Sequence, residues 1–362
     1  MLQRAGEPVT VLERTAIAAA WRGRYDRLHL HTVRWLSALP GYRIPRAFGK
    51  WPARDRVVEY LERYAQRYGV EVREGVEVQA LERSGDRWRL TTSNGAFDAQ
   101  RVVVATGHSN VPFLPAWPGA FEGEVVHSSA YRNAAPFRGK RVVVVGAGNS
   151  GAEIAVDLVE GGAAAVLLSV RTPPAIVRRD TVGLPSQVLG IATGHLPAGV
   201  VDWIARTIRR LAIPDLSPYG LPAPAHPYRD FQRRHTIPIL DVGIVDAVRS
   251  GRVKVVSPVA SLDGADVVLE DDRRIRTDVV LAATGFRTGL EPLVGDLGVL
   301  DERGEPLVHG PDEHPNAPGL HFVGYRIVLG GGLRTIGLDA KRLAKKVARS
   351  RQELPTAATA PV

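Results

Sequence analysis

The sequence of 362 residues contains no cysteine. This excludes disulfide bonds, thiolate nucleophiles, cysteine-ligated zinc and iron–sulfur clusters. The ten histidines show neither an H-x-x-x-H nor an H-E-x-x-H spacing with acidic residues nearby, so the sequence predicts no metal site. Any chemistry in this protein must therefore come from other side chains or from bound organic cofactors.

The sequence also lacks long apolar runs and a concentrated block of charge. No stretch is long enough to span a bilayer, and the first ten residues contain no signal-peptide core, so a cytoplasmic location is predicted. The net charge of +9 comes from scattered arginines, which favours a solvated basic surface over a nucleic-acid site. Such a field would also attract an anionic dinucleotide. We expect no nucleic-acid or membrane partner, and the sequence does not indicate an oligomeric state.

Two segments of the chain follow the same plan. One leads from the opening helix through VTVLER to RVVVATG at 101–107, and the other from RVVVVGAGNSG at 141–151 through VLLSVR to VVLAATG at 279–285. Strands that alternate with helices indicate parallel sheets covered on both faces. The fold class predicted is α/β, with two Rossmann-like dinucleotide-binding domains.

The second domain is predicted to be inserted into the first. Residues 1–115 and 286–362 would form one domain, and residues 116–285 the other. The Gly- and Pro-rich stretch AWPGAFEG at 116–123 is a plausible hinge between them. Within the inserted domain, the segment 200–213 reads as an amphipathic helix, and its apolar stripe is expected to pack on its own domain.

A glycine-rich turn follows the buried strand RVVVV. Gly146 permits the tight turn, Gly148 allows the backbone to approach a pyrophosphate, and Gly151 lets the helix pack closely on the strand. The N-terminus of the following helix offers free N–H groups to phosphates. The residues predicted to bind this cofactor are Gly146, Ala147, Gly148, Asn149, Ser150 and Gly151.

The next strand predicts which dinucleotide binds. An NAD site usually has an acidic residue about 20 residues after the glycines. Here the strand ends in LLSVRT, with Ser169 and Arg171 in place of an acid. A hydroxyl and a guanidinium can bind a 2′-phosphate, so NADPH is favoured. Arg178 and Arg179 could contribute or could be surface charges.

The opening segment obeys the same rule with the opposite result. VTVLE is a strand that ends in Glu13, and an acid at this place suits the unphosphorylated ribose of FAD. FAD in the first domain and NADPH in the second is the natural pairing for redox chemistry. Compared with the second domain, about 15–20 residues of strand and glycine turn are expected before Glu13. A misplaced start or a shortened chain is the preferred interpretation, and a genuine remnant with impaired flavin binding is the alternative.

The pattern Phe121-x-Gly123-x-x-x-His127-x-x-x-Tyr131 lies directly before the glycine turn. It resembles the identifying motif of the flavin-containing monooxygenase family, and the resemblance implies that these four residues contact a cofactor. Taken singly, the two aromatic residues would be core residues and the histidine a partly buried one. Baeyer–Villiger monooxygenases have Trp at the position of Tyr131, which argues against that branch.

Further segments resemble the YUCCA-like subgroup of the same family, which implies a fold like the two nucleotide domains of glutathione reductase. These segments are AAAWRGRYDRLHLHT, LPGYRIP, WPARDRVVEYLERYA, GAGNSG, IPILDVGIVDAVRSGRVKVV and AATGFRTG. The resemblance implies a set of FAD and crossover contacts: Glu13, Arg14, Trp21, Arg22, Glu77, Val78, Ala105, Thr106, Gly107, Ala283, Thr284, Gly285 and Gly324. His31 takes the place of an Asn that orients NADP+ in many members, and we assign it a catalytic role, with a purely structural role as the alternative.

The activity implied by the resemblance is that of an NADPH-dependent flavoprotein monooxygenase. One oxygen atom of O2 would pass from a C4a-(hydro)peroxyflavin to a small organic substrate, by N- or S-oxidation or by oxidative decarboxylation. A pyridine-nucleotide disulfide reductase is excluded because it needs a cysteine pair. Two alternatives stay open: an FAD- and NADPH-dependent oxidoreductase that releases H2O2, and a flavin-free protein that only binds NADPH.

Overall fold

A computed structural model describes residues 1–181 and 183–353. Its helices are α1 (Ala19–Arg22), α2 (Arg54–Arg67), α3 (Asn149–Glu160), α4 (Ser186–Thr193), α5 (Ala198–Ala212), α6 (Pro227–Arg234), α7 (Ile244–Arg249), α8 (Glu291–Val294) and α9 (Gly332–Glu353). Its strands are β1 (Thr10–Glu13), β2 (Glu71–Glu74), β3 (Val78–Ser84), β4 (Arg87–Thr92), β5 (Gly95–Ala99), β6 (Val102–Val104), β7 (Val111–Pro112), β8 (Gly119–Phe121), β9 (Glu124–His127), β10 (Arg141–Val145), β11 (Ala165–Ser169), β12 (Ile176–Arg178), β13 (Asp180–Thr181), β14 (Leu184–Pro185), β15 (Ile239–Asp241), β16 (Val253–Val256), β17 (Val259–Gly264), β18 (Asp266–Leu269), β19 (Arg274–Arg276), β20 (Val279–Ala282), β21 (Phe286–Arg287) and β22 (Leu320–Phe322).

The second half of the molecule is built on a five-stranded sheet in the order β16-β11-β10-β20-β9. Every neighbouring pair in it is parallel. The central strands are continuous apolar runs, because helices and a second sheet cover both faces. Strand β10 lies in the middle and leads directly into the glycine-rich turn and α3, so the turn lies at the carboxyl edge of the sheet.

The first half has its parallel strands in two separate pairs. Strand β1 pairs with β2, and β22 pairs with β6. Among the described residues, no strand bonds to both β1 and β6. Val11 of β1 and Val103 of β6 are exposed. A three-stranded antiparallel sheet, β3-β4-β5, packs beside the second pair and buries Trp88, whose indole nitrogen donates to the Pro318 carbonyl at 3.0 Å.

The two connections between the halves run side by side. Strand β7 pairs antiparallel with β21, so the chain leaves and re-enters the first half at one place. This pairing lies next to the predicted boundaries at 115/116 and 285/286, which stay a prediction. Within the described residues, no helix combines the length and the apolar character that a bilayer crossing requires.

The prediction for helix α5 is wrong in one respect. Val200 and Leu211 do not pack on the domain but lie exposed on the solvent side with Trp203. The buried face carries Val201 and Asp202 instead, and the Asp202 carboxylate accepts the backbone N–H of Tyr228 at 2.7 Å. The helix is thus oriented by a buried polar contact that the apolar stripe did not reveal.

Burial in the five-stranded sheet gives a direct test of the fold. Leu281 in β20 is 0% exposed and Leu211 is 86% exposed. We expect Leu281→Ala to lower the free energy of unfolding by about 2–5 kcal/mol, because it leaves a cavity in a packed core. The matched change Leu211→Ala should cost less than about 0.5 kcal/mol. Denaturant unfolding of both variants checks this, and equal losses would contradict the described packing.

Candidate nucleotide-binding site

The three glycines of the turn have three different structural roles. Gly146 has a φ of 106°, and a Cβ there would lie 2.6 Å from the Ala283 carbonyl oxygen. A Cβ on Gly151 would lie 1.9 Å from the Gly146 carbonyl oxygen, so helix and strand can touch only without a side chain. A Cβ on Gly148 would meet no protein atom within 4 Å. Nothing inside the protein requires glycine at 148, and the open space beside it fits an approaching phosphate.

Helix α3 begins directly after Gly148, without a side chain capping its first turn. The side chain of Asn149 is committed elsewhere: its amide donates to the Pro238 carbonyl at 3.1 Å and its oxygen accepts the Leu240 N–H at 2.8 Å. The helix start is therefore held in place while its own N–H groups remain for a ligand. The structure brings the predicted residues together at this place: Gly146, Ala147, Gly148, Asn149, Ser150 and Gly151.

The two predicted phosphate ligands at the end of β11, Ser169 and Arg171, have different surroundings. Ser169 is 2% exposed and its hydroxyl donates to the Ser257 carbonyl at 3.0 Å. In this arrangement the Ser169 proton is engaged by the protein, and contact of Ser169 with a phosphate stays a prediction. Arg171 is exposed, and no carboxylate of the described residues pairs with it. Arg171 is therefore placed where it could bind a 2′-phosphate, and this contact stays a prediction.

Two residues of the 121–131 motif support the frame of the site. Tyr131 is 1% exposed, and its hydroxyl donates to the Asp157 carboxylate at 2.5 Å, two turns along α3. The buried ring of Tyr131 supports the core of this half, and its contact with a cofactor stays a prediction. His127 holds the Gly285 carbonyl oxygen at 3.0 Å through Nε2. Burial lowers the pKa of His127, and the charge of Arg24 adds to this effect.

The other two motif residues lie where the chain passes close to itself. Phe121 packs against the apolar cluster between the two sheets. A Cβ on Gly123 would lie 2.5 Å from the Asp278 carbonyl oxygen and 2.6 Å from the Phe121 ring. Glycine is therefore needed there for internal packing. Cofactor contact by Phe121, Gly123 and His127 stays a prediction.

Both Ala-Thr-Gly segments lie at the carboxyl ends of parallel strands. The first is Ala105, Thr106 and Gly107, and the second is Ala283, Thr284 and Gly285. The Thr106 hydroxyl lies 2.8 Å from the Tyr325 hydroxyl, and the Thr284 hydroxyl donates to the Phe113 carbonyl. Both glycines have positive φ, 76° and 86°, and a Cβ on either would meet no protein atom within 4 Å. Open backbone of this kind fits a nucleotide that lies across it.

The predicted FAD contacts lie around the end of β1. The Glu13 carboxylate accepts the backbone N–H of Thr15 at 2.9 Å and its hydroxyl at 3.1 Å, both through Oε1. Arg14 pairs with Glu77 at 3.4 Å. The chemistry of this strand end fits a ribose, which a carboxylate binds through its hydroxyls. Among the described residues of this half, no glycine turn corresponds to the one at 146–151.

The remaining predicted residues lie near the same half. Arg22 pairs with Glu62 of α2, and Trp21 packs against the apolar cluster that α2 covers. Val78 packs against the cluster under β3. Gly324 follows β22 with a φ of 95°, and a Cβ there would meet Ile336 of α9 at 3.5 Å. Their contact with FAD stays a prediction.

The segment 24–33 crosses the carboxyl edge of the five-stranded sheet and joins the two halves. Its Asp26 N–H donates to the Arg132 carbonyl at 2.8 Å. The Tyr25 hydroxyl donates to the Glu153 carboxylate at 2.8 Å, and His31 Nε2 lies 2.9 Å from the same carboxylate. His31 and Glu153 are at ion-pair distance but are not aligned for a linear hydrogen bond. The structure thus gives His31 a protein partner, and its catalytic role stays a prediction.

Glu153 was not identified from the sequence. Glu153 lies two residues after Gly151, on the buried side of α3, between Ala152 and Ile154. Burial by itself would raise the pKa of Glu153, but His31 and the positive charge of Arg179 outweigh it and hold the pKa below its ordinary value. An acid among apolar helix residues was the available signal.

Arg24 was also missed. Its guanidinium lies 4.6 Å from the centre of the Phe286 ring, directly after the second Ala-Thr-Gly segment. Burial lowers its pKa, and no carboxylate of residues 1–181 and 183–353 lies at ion-pair distance from it. A cation that is desolvated and unpaired at the junction of the two halves suits an anionic ligand group. No cluster of metal-ligating side chains occurs in the same described ranges.

Comparisons with known proteins agree with this geometry. A family model described as pyridine nucleotide-disulphide oxidoreductase matches residues 2–181. The indole-3-pyruvate monooxygenase YUCCA1 of Oryza sativa subsp. japonica is 34% identical, over 96% of this chain and 87% of that protein. The probable indole-3-pyruvate monooxygenase YUCCA3 of Arabidopsis thaliana is 30% identical, over 99% of this chain and 86% of that protein.

Solved structures confirm the predicted fold class. The flavin-containing monooxygenase of Stenotrophomonas maltophilia is 26% identical and has a TM-score of 0.71, covering 97% of this chain and 92% of that chain. A bacillithiol disulfide reductase of Bacillus cereus shares the fold at 18% identity, with a TM-score of 0.67 over 96% of this chain and 94% of that chain. The lack of cysteine separates this chain from the reductases. The chain belongs to the flavin-containing monooxygenase family and is an FAD- and NADPH-dependent monooxygenase.

Proposed function

We propose that the substrate is a 2-oxo acid of the indole-3-pyruvate type. Support comes from the relatives named as indole-3-pyruvate monooxygenases, which match nearly the whole chain. In the balanced reaction, the 2-oxo acid, O2, NADPH and a proton give the shortened carboxylic acid, CO2, NADP+ and water. One oxygen atom enters the new carboxyl group and the other leaves as water. The predicted cytoplasmic location stays a prediction.

The observation that supports nucleotide binding at this place is the open space at Gly148. The glycine turn, the start of α3 and both Ala-Thr-Gly segments lie at carboxyl edges of parallel strands, where nucleotides bind in such folds. Tyr25 and His31 reach this place from the other half of the molecule. A dinucleotide on α3 would therefore lie beside a segment of the flavin-binding half.

The residues of this chain bind and orient the reactants in the proposed site. The N–H groups at the start of α3 hold the NADPH pyrophosphate, and Arg171 holds the 2′-phosphate. Glu13 holds the ribose of FAD. The bound FAD and NADPH together supply the hydride transfer and the oxygen chemistry. Residues 1–115 and 286–362 would bind FAD and residues 116–285 NADPH.

Arg24 is the residue proposed to receive the substrate carboxylate. Its unpaired guanidinium on the Phe286 ring lies between the crossover at Gly285 and the segment that reaches α3. A carboxylate there would gain a charge-assisted bond without displacing an existing acid. The neutral form of His127, favoured by its lowered pKa, adds no competing charge.

The proposed reaction predicts a defined stoichiometry. With added FAD, NADPH and indole-3-pyruvate, the full chain should oxidise NADPH and form indole-3-acetate and CO2 in nearly equal amounts. The 2-hydroxy analogue indole-3-lactate, which has no carbonyl, should give no product. Product by chromatography, CO2 and H2O2 are measured together. NADPH oxidation that yields only H2O2 would establish the oxidase alternative, and a protein that takes up no FAD would establish the NADPH-binding alternative.

The open space at Gly148 predicts a substitution that separates binding from folding. Gly148→Ala adds a methyl group where no protein atom lies within 4 Å, so stability should change by less than about 1 kcal/mol. The same methyl would obstruct the pyrophosphate, and the Kd for NADP+ should rise at least about ten-fold. Gly151→Ala is the contrasting variant, because its Cβ would collide with the Gly146 carbonyl and destabilise the fold. Titration calorimetry and thermal melts distinguish the two, and unchanged NADP+ binding in Gly148→Ala would contradict the site.

Arg171 is expected to determine the preference for NADPH over NADH. Arg171→Ala should lower the ratio of kcat/KM for NADPH to that for NADH by about ten-fold or more, because a charge-assisted phosphate contact is lost. The loss should shrink at high salt, since Arg171 is exposed. Arg178→Ala is the control, because its guanidinium donates to the Ala212 carbonyl at 2.7 Å. A preference for NADPH that survives in Arg171→Ala would refute this assignment.

A further inference from the structure

Two buried polar side chains of the NADPH-binding half reach into the segment 25–33. The first is Glu153, which is 3% exposed. Its Oε2 accepts the Tyr25 hydroxyl at 2.8 Å, and its Oε1 lies 2.9 Å from His31 Nε2. One carboxylate on α3 therefore binds both ends of a seven-residue stretch that belongs to the other half of the chain.

The second is Gln187 on α4, which is 6% exposed. Its oxygen accepts the Val33 N–H at 2.9 Å, and its amide donates to the Gly330 carbonyl at 2.7 Å. A Cβ on Gly331 would lie 2.9 Å from the Gln187 amide nitrogen, so the loop fits tightly around this side chain. Gln187 thus joins the segment 25–33 to the loop that precedes α9.

These two contacts differ from the ion pairs of Arg27 with Asp157 and Glu160, which cross the same interface and are at least partly exposed. Arg27 pairs with Glu160 at 2.8 Å, but the Glu160 side chain is 55% exposed. An exposed ion pair is screened by water and contributes little to geometry or stability. A buried carboxylate and a buried amide are costly unless their partners stay in place, so they tolerate few arrangements. Their combined effect is to allow one position of the segment relative to α3 and α4.

We propose that Glu153 and Gln187 are positioning residues that hold the two nucleotide-binding edges at one distance and orientation, through Tyr25, His31 and Val33. This inference rests on the proposed function, because it assumes that FAD and NADPH bind on these edges. Neither side chain is assigned a step in the reaction. Hydride transfer depends steeply on the relative placement of the two rings, so a loosened segment should slow turnover more than it weakens nucleotide binding.

Near-isosteric variants of the full chain test the proposal. Glu153→Gln removes the charge, Gln187→Leu removes both hydrogen bonds, and Glu160→Gln on the same helix is the matched exposed control. Amide hydrogen exchange of residues 25–33 is measured without cofactors. The dissociation constant of 2′,5′-ADP, which occupies only the adenosine half of the site, is measured by calorimetry. The kcat and KM for NADPH oxidation are measured with added FAD.

The expected result is specific to the two buried residues. In Glu153→Gln and Gln187→Leu, the rate of amide hydrogen exchange within 25–33 should rise about ten-fold or more. The segment can then open without the cost of breaking these buried contacts. The kcat should fall roughly 10- to 100-fold. The KM and the 2′,5′-ADP dissociation constant should stay within about two-fold of the parent chain, and Glu160→Gln should match the parent in every readout.

Three results would overturn the proposal. Exchange within 25–33 that does not change in either variant would show that the contacts do not hold the segment. An equal effect of Glu160→Gln would show that an exposed contact holds the segment as well as the two buried ones do. Loss of 2′,5′-ADP binding in step with kcat would make the two residues general supports of the NADPH-binding half. A parent chain that oxidises NADPH without forming oxygenated product would instead refute the proposed function, while the exchange data would still decide the positioning role.

Discussion

Helix α3 can begin where it does because Gly151 has no side chain. A Cβ there would lie 1.9 Å from the Gly146 carbonyl oxygen, so any other residue would force the helix away from β10. With the helix in contact with the strand, its N-terminus lies at the carboxyl edge of the sheet, where phosphates can bind. The remaining sides of α3 are held by three polar side chains, Asn149, Glu153 and Asp157. Asn149 bonds within its own half, Asp157 bonds to Tyr131 of its own half and to Arg27 of the other at 3.3 Å, and Glu153 bonds only to the other half. One helix therefore sets both the phosphate site and the relation between the halves.

The energetics of Glu153 show why this interaction is specific. A buried carboxylate costs several kcal/mol in desolvation, and its contacts with Tyr25 and His31 recover that cost only while both partners stay in place. An apolar residue of similar size would often be as stable or more stable at such a position. Stability alone therefore does not account for an acid there, whereas a demand for one defined arrangement does. The lowered pKa of Glu153 is consistent with this, because it shows that the surroundings favour the charged form despite burial.

The parts of the structure that depend on near neighbours could be predicted from the sequence. The glycine turn is such a case, because Gly151 closely approaches Gly146, which lies five positions earlier in the chain. The parallel sheets followed from the alternation of strands and helices. The hydrogen-bond partners of Ser169 and Tyr131 could not be predicted, because Ser257 and Asp157 are 88 and 26 residues away. Helix α5 failed for a similar reason, since its orientation depends on the contact of Asp202 with the backbone of a later helix.

The fold alone does not select the chemistry, because a disulfide reductase shares it. Disulfide reduction needs a cysteine pair, and this chain has no cysteine. The junction between the halves holds Arg24 on the ring of Phe286, with no carboxylate of the described residues at ion-pair distance, and His127, whose pKa is lowered by burial. An anionic substrate at this junction would gain a charge-assisted contact from Arg24. The buried side chains of Glu153 and Gln187 contact Tyr25, His31 and Val33, in the same segment as Arg24. The segment 24–33 carries Arg24. A substrate bound by Arg24 would therefore have one defined geometry relative to the nucleotides only if this segment has one fixed position.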